Sequence, residues 1–159
     1  MPFQIAELDL LSGQLGICPM PGRGGRYEAD LAAIVQWSPD LVLTMTTREE
    51  LAAKGADSLP ADLALHGIHW VHLPIPDFGT PPVPTAALWP ETSQRALALL
   101  SNRGRVLAHC MGGCGRSGMA LLRLMVDAGE EPGSALLRLR AARPCAVETP
   151  EQLAWASGV

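Results

Sequence analysis

Cys110 and Arg116, with five residues between them, bracket the stretch Cys110-Met111-Gly112-Gly113-Cys114-Gly115-Arg116, which Ser117 and Gly118 follow. A thiol, a planar guanidinium and a glycine-rich turn together suit one kind of chemistry, attack on a bound oxyanion. The apolar run Val106-Leu107-Ala108 before the stretch reads as a strand, and Met119 to Val126 after it as a helix. A strand that breaks into a tight turn and then a helix aims backbone N–H groups at one point. That point lies at the positive end of the helix dipole, where an anion is held. Cys110 opens the turn, so the same field favours its thiolate and makes it nucleophilic. Arg116 closes the turn with a fork of donors that matches two phosphoryl oxygens. Gly112, Gly113 and Gly115 permit the curl, and Met111 and Cys114 complete the anion-binding positions.

The remaining candidates lie where strands and helices end. Asp77 sits in the loop Pro76-Asp77-Phe78-Gly79-Thr80-Pro81-Pro82, after the strand pattern His69 to Ile75. Loops at strand ends carry catalytic side chains in α/β folds. His66, His69 and His72 recur every third residue, but alternation along a strand puts His69 and His72 on opposite faces, which favours packing over metal binding. Gly22-Arg23-Gly24-Gly25 reads first as a turn, with a second phosphate cradle as its alternative.

Elements to position these residues follow from periodicity and punctuation. Residues 14–18 and Leu41 to Met45 read as strands, and Tyr27 to Trp37 as a helix ended by Pro39. Thr47 caps a short helix through Lys54, with Glu50 completing a capping box. Further helices are expected over Pro60 to Leu65, from Thr85 with a break near Trp89 on to Asn102, over Arg116 to Ala128 and over Ser134 to Ala142. Thr149 caps the last helix, with Pro150 at its first position and Gln152 as the capping partner. This alternation of strands and helices points to an α/β protein.

At 159 residues and 48% hydrophobic composition, one domain over residues 1–159 is expected, with a core that needs no staples. A formal net charge of −4 argues against nucleic acid as a partner. The N-terminus does not read as a secretory signal, and no apolar run reaches membrane-spanning length. Cys18, Cys110, Cys114 and Cys145 lack zinc-ligand spacing. A reactive thiol calls for a reducing compartment, so a cytoplasmic location is expected.

The pattern His109-Cys110-x-x-Gly113-x-Gly115-Arg116-Ser117-Gly118 resembles the signature of the cysteine-dependent protein phosphatases, in particular their dual-specificity branch. Over nearly the whole chain the sequence is similar to the cyclin-dependent-kinase-associated phosphatases. The similar stretches include Leu15 to Cys18, Thr47 to Leu51, His72 to Pro81 and Ala146 to Gln152. The resemblance implies a phosphotyrosine protein phosphatase-like fold, a central, mostly parallel twisted sheet flanked by helices. It also implies a place near the active site for Gln152, where it would position the hydrolytic water. Ile75 replaces the tryptophan that precedes Pro-Asp in tyrosine-specific relatives, and Cys145 replaces a glycine common after Arg-Pro.

The chemistry expected is hydrolysis of a phosphate monoester through a phosphocysteine on Cys110, with Asp77 as general acid and then base. Ser117 would donate to the Cys110 sulfur, His109 would brace the loop, and no metal or other cofactor is needed. The expected substrate is a phosphorylated protein or a small phosphomonoester. Two other classes share part of the pattern. One is a phosphoresidue-binding module without turnover. The other is a thiol redox or arsenate-reductase-like protein that uses Cys110 and Cys114.

Overall fold

The computed structural model describes residues 2–158. The chain forms one sheet in the order β1-β2-β5-β3-β4. The strands are β1 (Ala6–Leu10), β2 (Gly13–Cys18), β3 (Leu41–Thr44), β4 (His69–His72) and β5 (Arg105–His109). β1 runs antiparallel to β2, while β2, β5, β3 and β4 are mutually parallel. In central β5, Val106, Leu107 and Ala108 are all fully buried, as a strand covered on both faces requires.

Eight helices cover the sheet among the described residues: α1 (Tyr27–Trp37), α2 (Arg48–Ala53), α3 (Leu59–Leu65), α4 (Val83–Ala86), α5 (Trp89–Ser101), α6 (Gly115–Asp127), α7 (Pro132–Ala142) and α8 (Pro150–Ser157). Strand alternation divides the core. Leu15, Ile17, Leu43 and Ala108 pack with residues of α5 to α8, such as Leu100, Leu121, Leu139 and Ala156. Cys18, Val42 and Leu107 face the other way, against Ile34 of α1 and Leu63 of α3. The α/β class and mostly parallel sheet expected from the sequence are therefore present. Ser38, left-handed at φ 62°, caps α1 just before Pro39.

The differences are local. No strand was expected before residue 14, yet β1 pairs with β2 from Ala6↔Ile17 to Leu10↔Gly13. The helix expected from Thr85 begins two residues earlier as α4, and Pro90 restarts the chain as α5. The regular part of β4 stops at His72, short of Ile75, because Pro74 has no N–H for the ladder. Leu73 and Ile75 still donate to Thr44 and Met45 carbonyls at 2.9 and 3.2 Å, which carries the strand's direction towards Asp77.

Register then places the site. Cys18 pairs with His109, His109 with Thr44, and Thr44 with His72. Four parallel strands thus end in line, and the loops that follow three of them carry Arg23, Asp77 and Cys110. A site at the carboxyl edge of a parallel sheet follows from that alignment.

Candidate active site

β5 ends at His109, α6 begins at Gly115, and Cys110, only 3% exposed, opens the loop between them. The loop's carbonyls are all pinned from outside. Met111 O accepts from Met20 N at 3.1 Å, and Cys114 O accepts from Val147 N at 3.2 Å and Gly118 N at 2.9 Å. Gly112 O and Gly113 O both accept from the Arg143 guanidinium at 2.9 Å. The amides of residues 111–116 donate to no carbonyl among the described residues. A ring of free N–H groups at a helix N-terminus is an oxyanion cradle. Gly113 makes the turn possible: it sits at φ +72°, and a Cβ there would lie 2.6 Å from the Cys18 carbonyl carbon. Any side chain would push the loop off β2.

Arg116 reaches back across this cradle. It is 1% exposed, yet its charge is well compensated. Nη1 donates to Glu50 Oε1 at 2.7 Å and to Ile75 O at 2.8 Å, and Nη2 donates to Glu50 Oε2 at 2.9 Å. Nη2 also lies 3.2 Å from Asp77 Oδ1. Burial works against the guanidinium's charge, but the Glu50 hydrogen bonds and the neighbouring acids outweigh it, so its pKa is raised. The Arg116 hydrogen bonds in turn hold Glu50 below its ordinary carboxylate value. Arg116 Nε is buried and lacks a partner among the described residues.

Glu50 was read from the sequence only as a helix cap. It is that, accepting from Thr47 N at 3.0 Å while Thr47 Oγ1 accepts from Glu50 N at 3.3 Å. The same carboxylate orients Arg116, so α2 carries a functional side chain as well. Only the pairing of an acidic residue with an unaccompanied loop arginine could have signalled this, and sequence separation hides the partner.

Ser117 Oγ lies 3.1 Å from Cys110 Sγ, both buried. His109 braces the loop from beneath. Trp70 Nε1 donates to Thr44 Oγ1 at 2.7 Å, and His109 Nε2 lies 2.7 Å from the same hydroxyl. Nδ1 faces Cys110 O at 3.4 Å; a carbonyl only accepts, so in the neutral ring the proton sits on Nδ1 and Nε2 accepts from Thr44. Complete burial lowers the His109 pKa from 6.5 to about 4, with the Arg116 charge acting in the same direction. Burial thus favours the neutral ring.

A pH prediction follows. The folded-state value lies below the unfolded one, so His109's contribution is full above pH 6.5 and is lost as pH falls towards about 4. The difference amounts to about 3 kcal/mol. Urea unfolding at pH 7 and pH 4.5 should show a larger loss for wild type than for His109→Asn. Equal losses would mean that the ring is not held neutral. In the wild type alone, the ring's NMR titration gives the same answer.

Gln152 occupies the cap position expected for it. Its Oε1 accepts from Thr149 N at 3.2 Å and Glu148 N at 2.9 Å, and Gln152 N donates to Thr149 Oγ1 at 3.1 Å. Its Nε2 donates to Gly79 O at 3.1 Å, which ties the Asp77 loop to α8. Asp77 itself is 55% exposed on its side chain and accepts from Phe78 N at 3.0 Å. His72 bonds the Thr46 carbonyl at 2.7 Å and stacks on Trp70, the packing role expected of it. Among the described residues no cluster of three metal-ligating side chains occurs.

One reading is corrected. Cys114, considered as a redox partner for Cys110, is instead disulfide-bonded to Cys145, and Cys110 is free. The loop's curl presents Cys114 to the segment after α7, which also supplies Arg143. That bridge, 31 positions long, adds a covalent strut to the side of the loop that Arg143 pins.

A lone thiol in an amide cradle, closed by an arginine at the carboxyl edge of a parallel sheet, defines the cysteine-dependent phosphatase class. The model of the family described as "Polymorphic toxin system, DSP-PTPase phosphatase" matches residues 22–130, and the chain belongs to that family of dual-specificity phosphatases. It is a protein-tyrosine/dual-specificity phosphatase, and it is similar to the kinase-associated branch that the sequence resembles. The mouse protein named cyclin-dependent kinase inhibitor 3 is 32% identical over 95% of this chain and 75% of its own length. The rat protein of that name is 32% identical over 95% and 76%. A crystal structure of kinase associated phosphatase, with its catalytic-site cysteine replaced by serine, matches at TM-score 0.84 and 26% identity, covering 98% of this chain and 93% of that one. The active form of Tk-PTP matches at TM-score 0.70 and 30% identity, covering 89% and 87%.

Proposed function

We propose that this phosphatase hydrolyses phosphate monoesters on proteins through a phosphocysteine at Cys110. The Cys110 thiolate attacks phosphorus in line, forming an S–P bond as the bond to the leaving oxygen breaks. The amides of residues 111–116 and Arg116 hold the equatorial oxygens while charge redistributes. Asp77 gives a proton to the departing oxygen. In the second step Asp77 takes a proton from water, the water oxygen bonds to phosphorus, and the S–P bond breaks to restore the thiolate. Ser117 Oγ donates to that sulfur as it leaves. Gln152, anchored to both α8 and the Asp77 loop, positions the water.

The observation that supports the reading most is the buried Arg116 fork, fixed by Glu50 and Ile75 at the end of the loop that Cys110 opens. The test is phosphate release from an aryl phosphate and a phosphothreonine peptide in excess chelator, with rapid quench to capture phosphate on Cys110. Turnover should persist without metal, and a label stable in alkali and labile in acid should appear on Cys110 within one turnover. Asp77→Asn should slow the phosphothreonine peptide by about 100-fold and the aryl ester much less, because its leaving group needs little protonation. Activity that disappears with the chelator, or a variant indifferent to the leaving group, would defeat the mechanism.

A further inference from the structure

Two cysteines stand where neither the mechanism nor the core requires them. Cys114 is the N-cap residue of α6, Cys145 lies just beyond α7, and a disulfide joins them. The bridge is anchored in the phosphate loop itself. Cys114 O accepts from Gly118 N and Val147 N, and nearby Arg143 holds the Gly112 and Gly113 carbonyls at 2.9 Å. Cys114 is half-buried and Cys145 is exposed. The nucleophile Cys110 is buried and takes no part in the bridge.

The N-cap position gives the bridge its consequence. An acceptor side chain at an N-cap turns back to the N–H of the second or third helical residue. In α6 those residues are Arg116 and Ser117, and Arg116 N is one of the amides that the cradle offers to phosphate. Cys114 makes no such capping bond, and its sulfur is tied to Cys145 instead. The disulfide therefore keeps a competing acceptor off the cradle. Once the bridge opens, the sulfur of Cys114 is free at a helix N-terminus, which lowers a thiol's pKa and favours the thiolate. That thiolate is an anion held in place beside the amides that phosphate needs.

We infer that the Cys114–Cys145 bridge is a thiol-controlled switch on phosphate binding, closed when the loop is competent and opened by a dithiol. This rests on the phosphatase reading above. A thiolate of the dithiol attacks the exposed Cys145 sulfur, the Cys114–Cys145 bond breaks, and Cys114 leaves as a thiolate. This direction is favoured by access and by the better leaving group, the thiol of lower pKa. The second sulfur of the dithiol, as thiolate, then attacks the reagent's own sulfur in the mixed disulfide and releases Cys145. Two electrons pass to the protein, the dithiol ends as a disulfide, and its two protons go to solvent or to the released cysteines. The sign is the reverse of what the nucleophile alone dictates. Oxidation of Cys110 to a disulfide stops turnover and a dithiol restores it, whereas opening this bridge lowers it.

The experiment follows aryl phosphate turnover by wild type before and after treatment with a dithiol. Alkylation and mass measurement report the bridge: two cysteines, Cys18 and Cys110, should react before treatment and all four after it. On reduction kcat/KM should fall about tenfold, mainly through KM. Cys145→Ser leaves the Cys114 sulfur free, so it should match reduced wild type and ignore the dithiol. Cys114→Ala has neither bridge nor competing sulfur; it should also ignore the dithiol, yet bind phosphate more tightly than Cys145→Ser. Unchanged kcat/KM in wild type with all four cysteines reactive, or four reactive cysteines before any treatment, would overturn the switch. Equal phosphate affinity in the two variants would overturn the competing sulfur as its cause. Calorimetric titration of inorganic phosphate into Cys110→Ser, bridged and reduced, reads the same loss of affinity without turnover. A wild type inert towards aryl phosphate would therefore sink the phosphocysteine reading while the phosphate affinities still judged the switch.

Discussion

Cys110→Ser should bind phosphate or a phosphopeptide and release nothing, with kcat lower by at least about 10⁴-fold. The substitution keeps volume and leaves the cradle intact, since every carbonyl that shapes the loop is held by Met20, Arg143, Val147 or Gly118. What it removes is the nucleophile. Sulfur is the stronger nucleophile and the better leaving group, and a hydroxyl in the same place has neither property. Ser117 Oγ, 3.1 Å from Sγ, orients either atom but lacks the basicity to activate a hydroxyl. Ser117→Ala should then show a different defect. Its burst of phosphoenzyme formation should survive while breakdown slows, because the hydroxyl serves the sulfur as leaving group. Measurable steady-state turnover by Cys110→Ser at a tenth of the wild-type rate would assign the chemistry to another group.

The loop from Cys110 to Arg116 was legible in sequence because its function demands special residues at fixed spacing. The strand before it and the helix after it read equally well, since each is a plain apolar run with clear punctuation. β1 was missed for a physical reason. Its residues alternate properly, but the hairpin turn Leu11-Ser12 contains neither glycine nor asparagine, although Leu11 sits at φ +53°. Tertiary contacts hold that turn instead: Ser12 Oγ donates to the Leu100 and Ser101 carbonyls at 3.0 and 2.9 Å and accepts from Arg103 N at 3.3 Å. The bridge Cys114–Cys145 was hidden in the same way, because nothing local to either cysteine says which of the other three lies near. Gln152 was found as a cap because capping is local. Its bond to Gly79, 73 positions away, is not.

Glu50 shows the strongest case of one residue with a local and a distant role, and substitution separates the two. Glu50→Gln preserves a capping box, because glutamine at that position can still accept from Thr47 N. It removes the charge that faces Arg116, which is 1% exposed. Losing one partner of a buried pair destabilises by about 3–5 kcal/mol. Glu50 retains 21% side-chain exposure, so a loss of about 2 kcal/mol is expected after solvent screening. The loss should depend on ligand. Phosphate in the cradle supplies the missing negative charge, so the melting-temperature increase from saturating phosphate should be larger for Glu50→Gln than for wild type. Catalysis should fall by about 100-fold in kcat/KM, since Arg116 is no longer held in the plane that meets the equatorial oxygens. Arg116→Lys should cost about 10³-fold or more, because an ammonium cannot replace the fork at either end. The pH sign follows from the lowered Glu50 value: the clamp is complete through neutral pH and is lost only as pH falls below the ordinary carboxylate range. An acid limb present in wild-type kcat/KM should therefore be blunted in Glu50→Gln. If phosphate stabilises both proteins equally, or the variant keeps full activity, Glu50 is a helix cap and Arg116 is positioned by Ile75 O and Asp77.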